Sequence, residues 1–221
     1  MDPASVWALP WALDRVLRLA ELNFDPARRD RVLVFAASEL PLSWAFGNTT
    51  ERRQENVRRL QKYFRRILYM SKDIELEGVE VFPMGLSWGY MLTPLRVWWN
   101  MRKPGRVVGR AVPVQAGLRR RARDMRFLIS PCGSAIQSAK KIEALAVLTI
   151  PITQRGPFRL YDELVENGWP MVVVTNWSEV TLEATHAWWK TLSPRLRSFR
   201  DNCMTTDGFW RMVTGQSLFC A

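Results

Sequence analysis

The chain has 221 residues, 48% hydrophobic and 24% charged, a globular mixture long enough to bury a core without disulfide staples. Its 32 Lys and Arg outnumber 21 Asp and Glu, and the resulting +11 charge implies a polyanionic partner or a phosphorylated ligand. One histidine and three cysteines without CxxC spacing (Cys132, Cys203, Cys220) rule out a closed disulfide framework and nearly exclude a His–Cys zinc cluster. No apolar run approaches the roughly 18 residues of a membrane span, so none is expected. Met1 to Leu13 lack the basic n-region of a signal peptide, which leaves the cytoplasm as the default location.

In chain order, Pro10 to Leu22 predicts a helix with Leu13, Val16, Leu17 and Ala20 on its inner face, ended by Asp25-Pro26. The run VLVFAA that follows Arg31 predicts a strand covered on both faces. Beyond Gly47-Asn48, Thr49 or Thr50 offers an N-cap, and Glu51 to Met70 predicts the longest helix. Its inward residues are Val57, Leu60, Phe64, Ile67 and Leu68, and its outer face carries Arg52, Arg53, Arg58, Arg59, Lys62, Arg65 and Arg66. Gly78 to Phe82 predicts a strand. Pro and Gly then cluster between Pro83 and Gly109, the place for a boundary between an N-terminal unit, 1–100, and a C-terminal one, 101–221.

Residues 102–126 hold nine basic side chains against Asp124 alone. This segment, with Arg119-Arg-Arg-Ala-Arg123 at its centre, and the arginine face of the long helix make a nucleic-acid or other polyanion-binding module the alternative reading. From Phe127 the pattern alternates: strand Phe127 to Ser130, helix Ala135 to Val147, strand Leu148 to Thr153, helix Phe158 to Val165, strand Met171 to Thr175. A last helical region from about Val180 is broken at Ser193-Pro194. Such alternation with short turns predicts α/β architecture on a Rossmann-like parallel sheet.

In an open parallel sheet the ligand crevice lies at the carboxyl ends of the strands. Here that place is Ser130-Pro-Cys-Gly-Ser-Ala135. Gly133 lets a phosphate approach the backbone, and the free N–H groups of Ser134, Ala135 and Ile136 present partial positive charge. Lys140 and Glu143, three apart on the following helix, suit a diphosphate and a ribose diol, because an ionised carboxylate only accepts hydrogen bonds. A glycine turn with a Lys/Glu pair is equally a packing turn with a surface ion pair.

The whole run FLISPCGSAIQSAKKIEALAVLTIPIT, followed by PMVVVTNWSEVT, resembles the C-terminal half of exostosin-like glycosyltransferases across roughly residues 126–182. The matching positions are Ser130, Pro131, Gly133, Glu143-Ala-Leu145, Ile150-Pro-Ile152 and Asn176-Trp-Ser178. Val79 to Leu86 is similar to the linker between the halves of these enzymes. The resemblance implies two Rossmann-like domains, here with a shortened N-terminal half, and a nucleoside-diphosphate-sugar substrate with no resident cofactor or obligatory metal. The sugar would pass to a hydroxyl of a glycan or protein acceptor. Ser130, Gly133, Ser134, Lys140 and Glu143 would hold the donor, Glu143 at the ribose and Lys140 where the family has an arginine by the diphosphate. Four departures, Lys140 for an arginine, Ile142 for an aromatic, Ser134-Ala135 at the usual small second residue of the turn and Asn176 for an aspartate, leave a catalytically inactive homologue open, and the short first half leaves open a fragment of a Golgi-type enzyme. Among other candidates, His186 reads as a helix-surface residue and Trp98-Trp99 and Trp188-Trp189 as core-edge pairs. Cys132 is expected to be a buried strand-end thiol, and Asn48 and Asn176 match weak glycosylation sequons.

Overall fold

A computed structural model describes residues 3–28, 30–85, 125–131 and 136–216. The first sheet pairs four parallel strands in sequence order: β1 (Ser5–Ala8), β2 (Val32–Phe35), β3 (Arg66–Tyr69) and β4 (Glu80–Val81). Between them run α1 (Leu13–Asn23), the short α2 (Leu42–Ala45) and α3 (Thr50–Gln61). The second sheet joins β5 (Phe127–Ile129), β6 (Ile150–Gln154) and β7 (Val172–Val174), also parallel. Its connections are α4 (Ala139–Ala146) and α5 (Leu160–Glu166), and α6 (Leu182–Cys203) and α7 (Thr206–Thr214) follow. The protein is therefore α/β with parallel sheets. No helix among the described residues is long and apolar enough to cross a membrane.

Alternation sorts the first sheet's side chains onto two cores. Leu33, Phe35, Ile67 and Tyr69 face α1 and α3 and meet Leu17, Val57 and Leu60. Val32, Val34 and Leu68 face the other way, and there they meet Val213 of α7. The last helix of the chain thus covers the second face of the first sheet. Arg66 fastens it: its guanidinium pairs with Glu80 and donates to the carbonyls of Met212 (2.6 Å) and Val213 (3.0 Å), while Arg65 donates to Thr214 O (2.9 Å). Cations at the carbonyl end of a helix are also favoured by its dipole. The third core gathers Ile150, Ile152, Val172 and Val174 with Leu145, Leu164, Leu196 and Phe199.

Two sequence expectations fail. The helix over Glu51 to Met70 ends at Gln61, and its last turn is the strand β3. Ile67, Leu68 and Tyr69 gain ladder bonds to β2 on one side and β4 on the other, and burial on both faces outweighs helical spacing. The break at Ser193-Pro194 is also absent: α6 runs through Pro194 to Cys203. Pro194 lies on the exposed side, where water can satisfy the carbonyl it leaves unpaired, and Leu196, Phe199 and Cys203 bury the inner row. The strand β1 was not expected at all. The stretch 87–117 lies outside the described residues.

The Arg66 clamp yields a test. Arg66→Met leaves Glu80 and two helix-end carbonyls without their partner and should cost about 3–5 kcal/mol. The loss should show as faster amide exchange confined first to α7 and β3.

Candidate functional site

The carboxyl ends of β1 to β4 open onto a cleft of about 750 Å³. Trp7, Met70, Phe82 and Met84 come from the strand ends, and Ser38 and Glu39 from the turn after β2. Thr205 and Phe209, at the elbow between α6 and α7, close the opposite side. Trp7, Phe82 and Phe209 form a chain of edge-on rings with centroids 5.6 and 6.2 Å apart. Ala37, at the rim, holds a left-handed φ of 61°, an unfavourable conformation for a residue with a Cβ, and there the chain turns off the sheet.

Behind this wall the two sheets are joined by one buried amide. Gln137, 4% exposed, donates through Nε2 to the carbonyls of Met70 and Phe82 (2.8 Å to the latter) and accepts from Met84 N–H at 2.7 Å. Three backbone groups that no strand neighbour satisfies are paired by a residue from the turn that leads into α4. Tyr161 holds the same turn by donating to Ile136 O. A second tie is ionic. Lys72, buried just after β3, bonds Glu163 of α5 at 2.7 Å and Glu75 at 3.3 Å. Burial raises the Glu163 carboxyl above its ordinary 4.5; Lys72 opposes that shift and Glu75, sharing the same ammonium, adds to it.

The predicted donor residues fall along this junction. Ser130 follows β5: its N–H donates to Ile152 O at 2.8 Å, it is buried, and its hydroxyl has no hydrogen-bond partner among the described residues. In the sheet register its neighbour is Thr153, whose buried hydroxyl is likewise unpartnered. Gly133, Ser134 and Cys132 lie outside the described residues. The helix expected from Ala135 begins instead at Ala139, because Ser138 takes the N-cap position and accepts from Lys140 N–H (3.3 Å). The amide of Ile136 therefore precedes α4 rather than belonging to its first turn. Lys140 is exposed in that first turn and Glu143 is 7% exposed one turn on, so the pair does not share one solvent face.

Sequence reasoning passed over Lys141, which is buried with its ammonium 4.7 Å from the centre of the Tyr161 ring. The available signal was spacing, since Lys141 precedes Leu145 by one turn on the inner face. It also passed over Gln137, which no motif marks. Asn176 does form the expected turn after β7: Asn176 Oδ1 accepts from Ser178 N–H (3.0 Å), and Glu179 accepts from Thr175 and Asn176 N–H (2.9 and 2.6 Å). His186 is exposed on α6. Trp188 and Trp189 are half-buried, both edge-on to Phe127.

The arginine face read on the helix over 51–70 is mostly consumed by structural contacts. Arg53 donates to Ser43 O and Gly47 O, Arg58 pairs with Glu55, Arg59 pairs with Glu21, and Arg65 and Arg66 hold α7. Within the basic segment, Arg126 lies over the Trp189 ring at 5.1 Å, while 102–123 lies outside the described residues. Among the described residues no cluster of three His, Cys, Asp or Glu could hold a metal ion. Comparison with protein-family models gives no match, and comparison with curated proteins gives none.

Two measurements test the junction. Gln137→Leu strands three backbone groups and should cost about 3 kcal/mol, a fall in melting temperature of roughly 6–12 °C for a chain of this size. Glu163 binds protons more tightly folded than unfolded, so its contribution to stability declines as pH rises above 4.5. Melting temperatures followed upward from pH 4.5 should therefore decline more steeply, or rise less, for the native chain than for Glu163→Gln.

Proposed function

We propose that the protein binds a nucleoside-diphosphate sugar and transfers the sugar to a hydroxyl acceptor, in a two-lobed Rossmann-like arrangement of the exostosin type. The single observation that carries this reading is the shared junction. Gln137 ties the carboxyl ends of β3 and β4, where Met70, Phe82 and Met84 line the 750 Å³ cleft, to the residues that lead into α4 of the second sheet. Carboxyl ends of parallel strands are where nucleotides bind, and a transferase needs donor and acceptor crevices side by side.

In this reading the donor rests on the second sheet. The Ser130 hydroxyl, buried and without a partner among the described residues, has hydrogen-bonding capacity for a donor oxygen. Lys140, exposed in the first turn of α4, supplies positive charge for the diphosphate, and the helix dipole adds to it. Lysine here acts as a point charge and lacks the bidentate fork of the family's arginine. Glu143 receives the ribose diol, and Gly133 and Ser134 complete the phosphate turn. The aromatic cleft of the first sheet takes the acceptor, with Trp7 offering its exposed ring. As the glycosidic bond to the donor breaks, the leaving diphosphate gains negative charge that cationic side chains stabilise.

The test is a thermal-shift screen with UDP, GDP and CMP. One nucleotide at a hundredfold its Kd should stabilise the chain by about 2.7 kcal/mol. Glu143→Ala should abolish that shift in a variant whose circular dichroism shows it folded; unchanged nucleotide affinity removes Glu143 from the site. Turnover of the matching nucleotide sugar separates an active transferase from a homologue that only binds. If no nucleotide binds and a polyanion binds with steep loss between low and moderate salt, the charge-based reading replaces this one.

A further inference from the structure

A second cavity lies on the far side of the turn after β2. Ser38 and Glu39 wall the main cleft, and the continuation through Leu40, Trp44 and Gly47 walls this one, about 290 Å³ in volume. Trp11, from the turn before α1, and Trp44, on α2, both line it, and both are largely in water at 64% and 73% exposure. A single exposed aromatic is ordinary, but two tryptophans around one concavity leave a wide apolar surface uncovered. The polar lining is specific. Asn56, 4% exposed, donates through Nδ2 to Phe46 O at 2.9 Å, which fixes the orientation of its amide. Its Oδ1 has no donor among the described residues. Asp14 and Arg52, on the rim from α1 and α3, make no side-chain hydrogen bond or ion pair among the described residues.

The combination defines the ligand. Indole faces want a flat apolar partner, whereas Asn56 Oδ1 and Asp14 want donors and Arg52 wants an acceptor. A hexopyranose with equatorial hydroxyls meets all of these, because its hydroxyls ring the edge and its two faces present C–H bonds. The volume suits one such ring, below the range usual for drug-sized ligands. Trp7 reaches the main cleft from the same segment that brings Trp11 to this cavity, so a chain of sugars seated here lies beside the cleft.

We propose that the cavity lined by Trp11, Trp44 and Asn56 is a carbohydrate subsite that holds one hexopyranose unit of an oligosaccharide. It goes beyond the transfer reading and does not require it, since the subsite stands on its own lining residues. Calorimetric titration of the full chain with cellotetraose tests it. Saturable binding is expected, and Trp11→Ala and Trp44→Ala should each weaken it about tenfold or more, the loss of one stacked face. Asn56→Leu also removes the bond to Phe46 O, so the exposed tryptophans carry the test. Nucleotide-induced thermal shifts, where present, should be the same in both tryptophan variants, which separates this subsite from the donor site. Absence of saturable heat at millimolar cellotetraose overturns the proposal, as does affinity in both tryptophan variants unchanged from the native chain. Self-association lost in those variants, without sugar binding, overturns it in favour of a contact between copies.

Discussion

A parallel sheet has two apolar faces, and the chain must cover both. In the N-terminal stretch α1 and α3 reach only one face of β1 to β4, the side of Leu33, Phe35, Ile67 and Tyr69. The opposite side, Val32, Val34 and Leu68, is closed by α7 from the other end of the sequence. Without that cover the three residues would stand in water at roughly 1.5–3 kcal/mol each. This requirement couples the two sheets: α7 can dock only if α6, which leaves the second core, hands it across. Cys203 is packed in the second core and Val213 in the first sheet's, only ten residues on. The elbow at Met204 and Thr205 is the hinge of that handover, and it is also a wall of the main cleft.

The cleft is thus a by-product of how the sheets are tied. Gln137 and Lys72 each reach from one sheet's surroundings to the other's, while Arg66 fastens α7 onto the first sheet. A neutral amide is well suited to the most buried tie, since it brings two donors and an acceptor without the desolvation penalty of a charge. Lys72 carries that penalty and meets it with two carboxylates. The Glu75 end is open to solvent and the Glu163 end is not, so only the Glu163 side feels burial strongly.

How much of this could be read from the sequence depended on whether local pattern and tertiary context agreed. VLVF, IPITQ and VVV stand out as strands because the run is continuous and mostly buried on both faces, and FLI because it is a short apolar run before a turn, although Ile129 is exposed. Thr49 as an N-cap was equally legible, and its hydroxyl accepts from Arg52 N–H at 3.2 Å. RILY was not, because Phe64, Ile67 and Leu68 also fall at helical spacing and only the neighbouring strands decide between the two. Pro194 misled in the opposite direction, since a helix with a buried inner row tolerates proline on its wet side. In the candidate site, Ser130, Lys140 and Glu143 were visible as residue types, but their directions were not. The start of α4 at Ala139 turns on one serine cap, and Ser134 and Ser138 are indistinguishable as caps without the fold. Gln137 carried no signal, because its partners are backbone atoms more than fifty residues away.

That late start has a chemical consequence for any anion held at the second sheet. A helix presents its free N–H groups over its first turn, and Ser138 Oγ already occupies one of them, that of Lys140. The dipole's contribution is therefore centred on residues 139–141, four positions beyond where the glycine turn alone would place it. Just before the helix, Ile136 is held by Tyr161, and Gln137 by its own amide bonds to the first sheet. An anion beside the start of α4 would meet the helix terminus together with the exposed Lys140. Because the helix starts at Ala139, its terminal N–H groups and the Lys140 side chain come from adjacent residues and can address one phosphoryl group together. The same start leaves Glu143 one turn deeper and shielded from water, where a carboxylate gains most from donors fixed in place, the hydroxyls of a ribose among them.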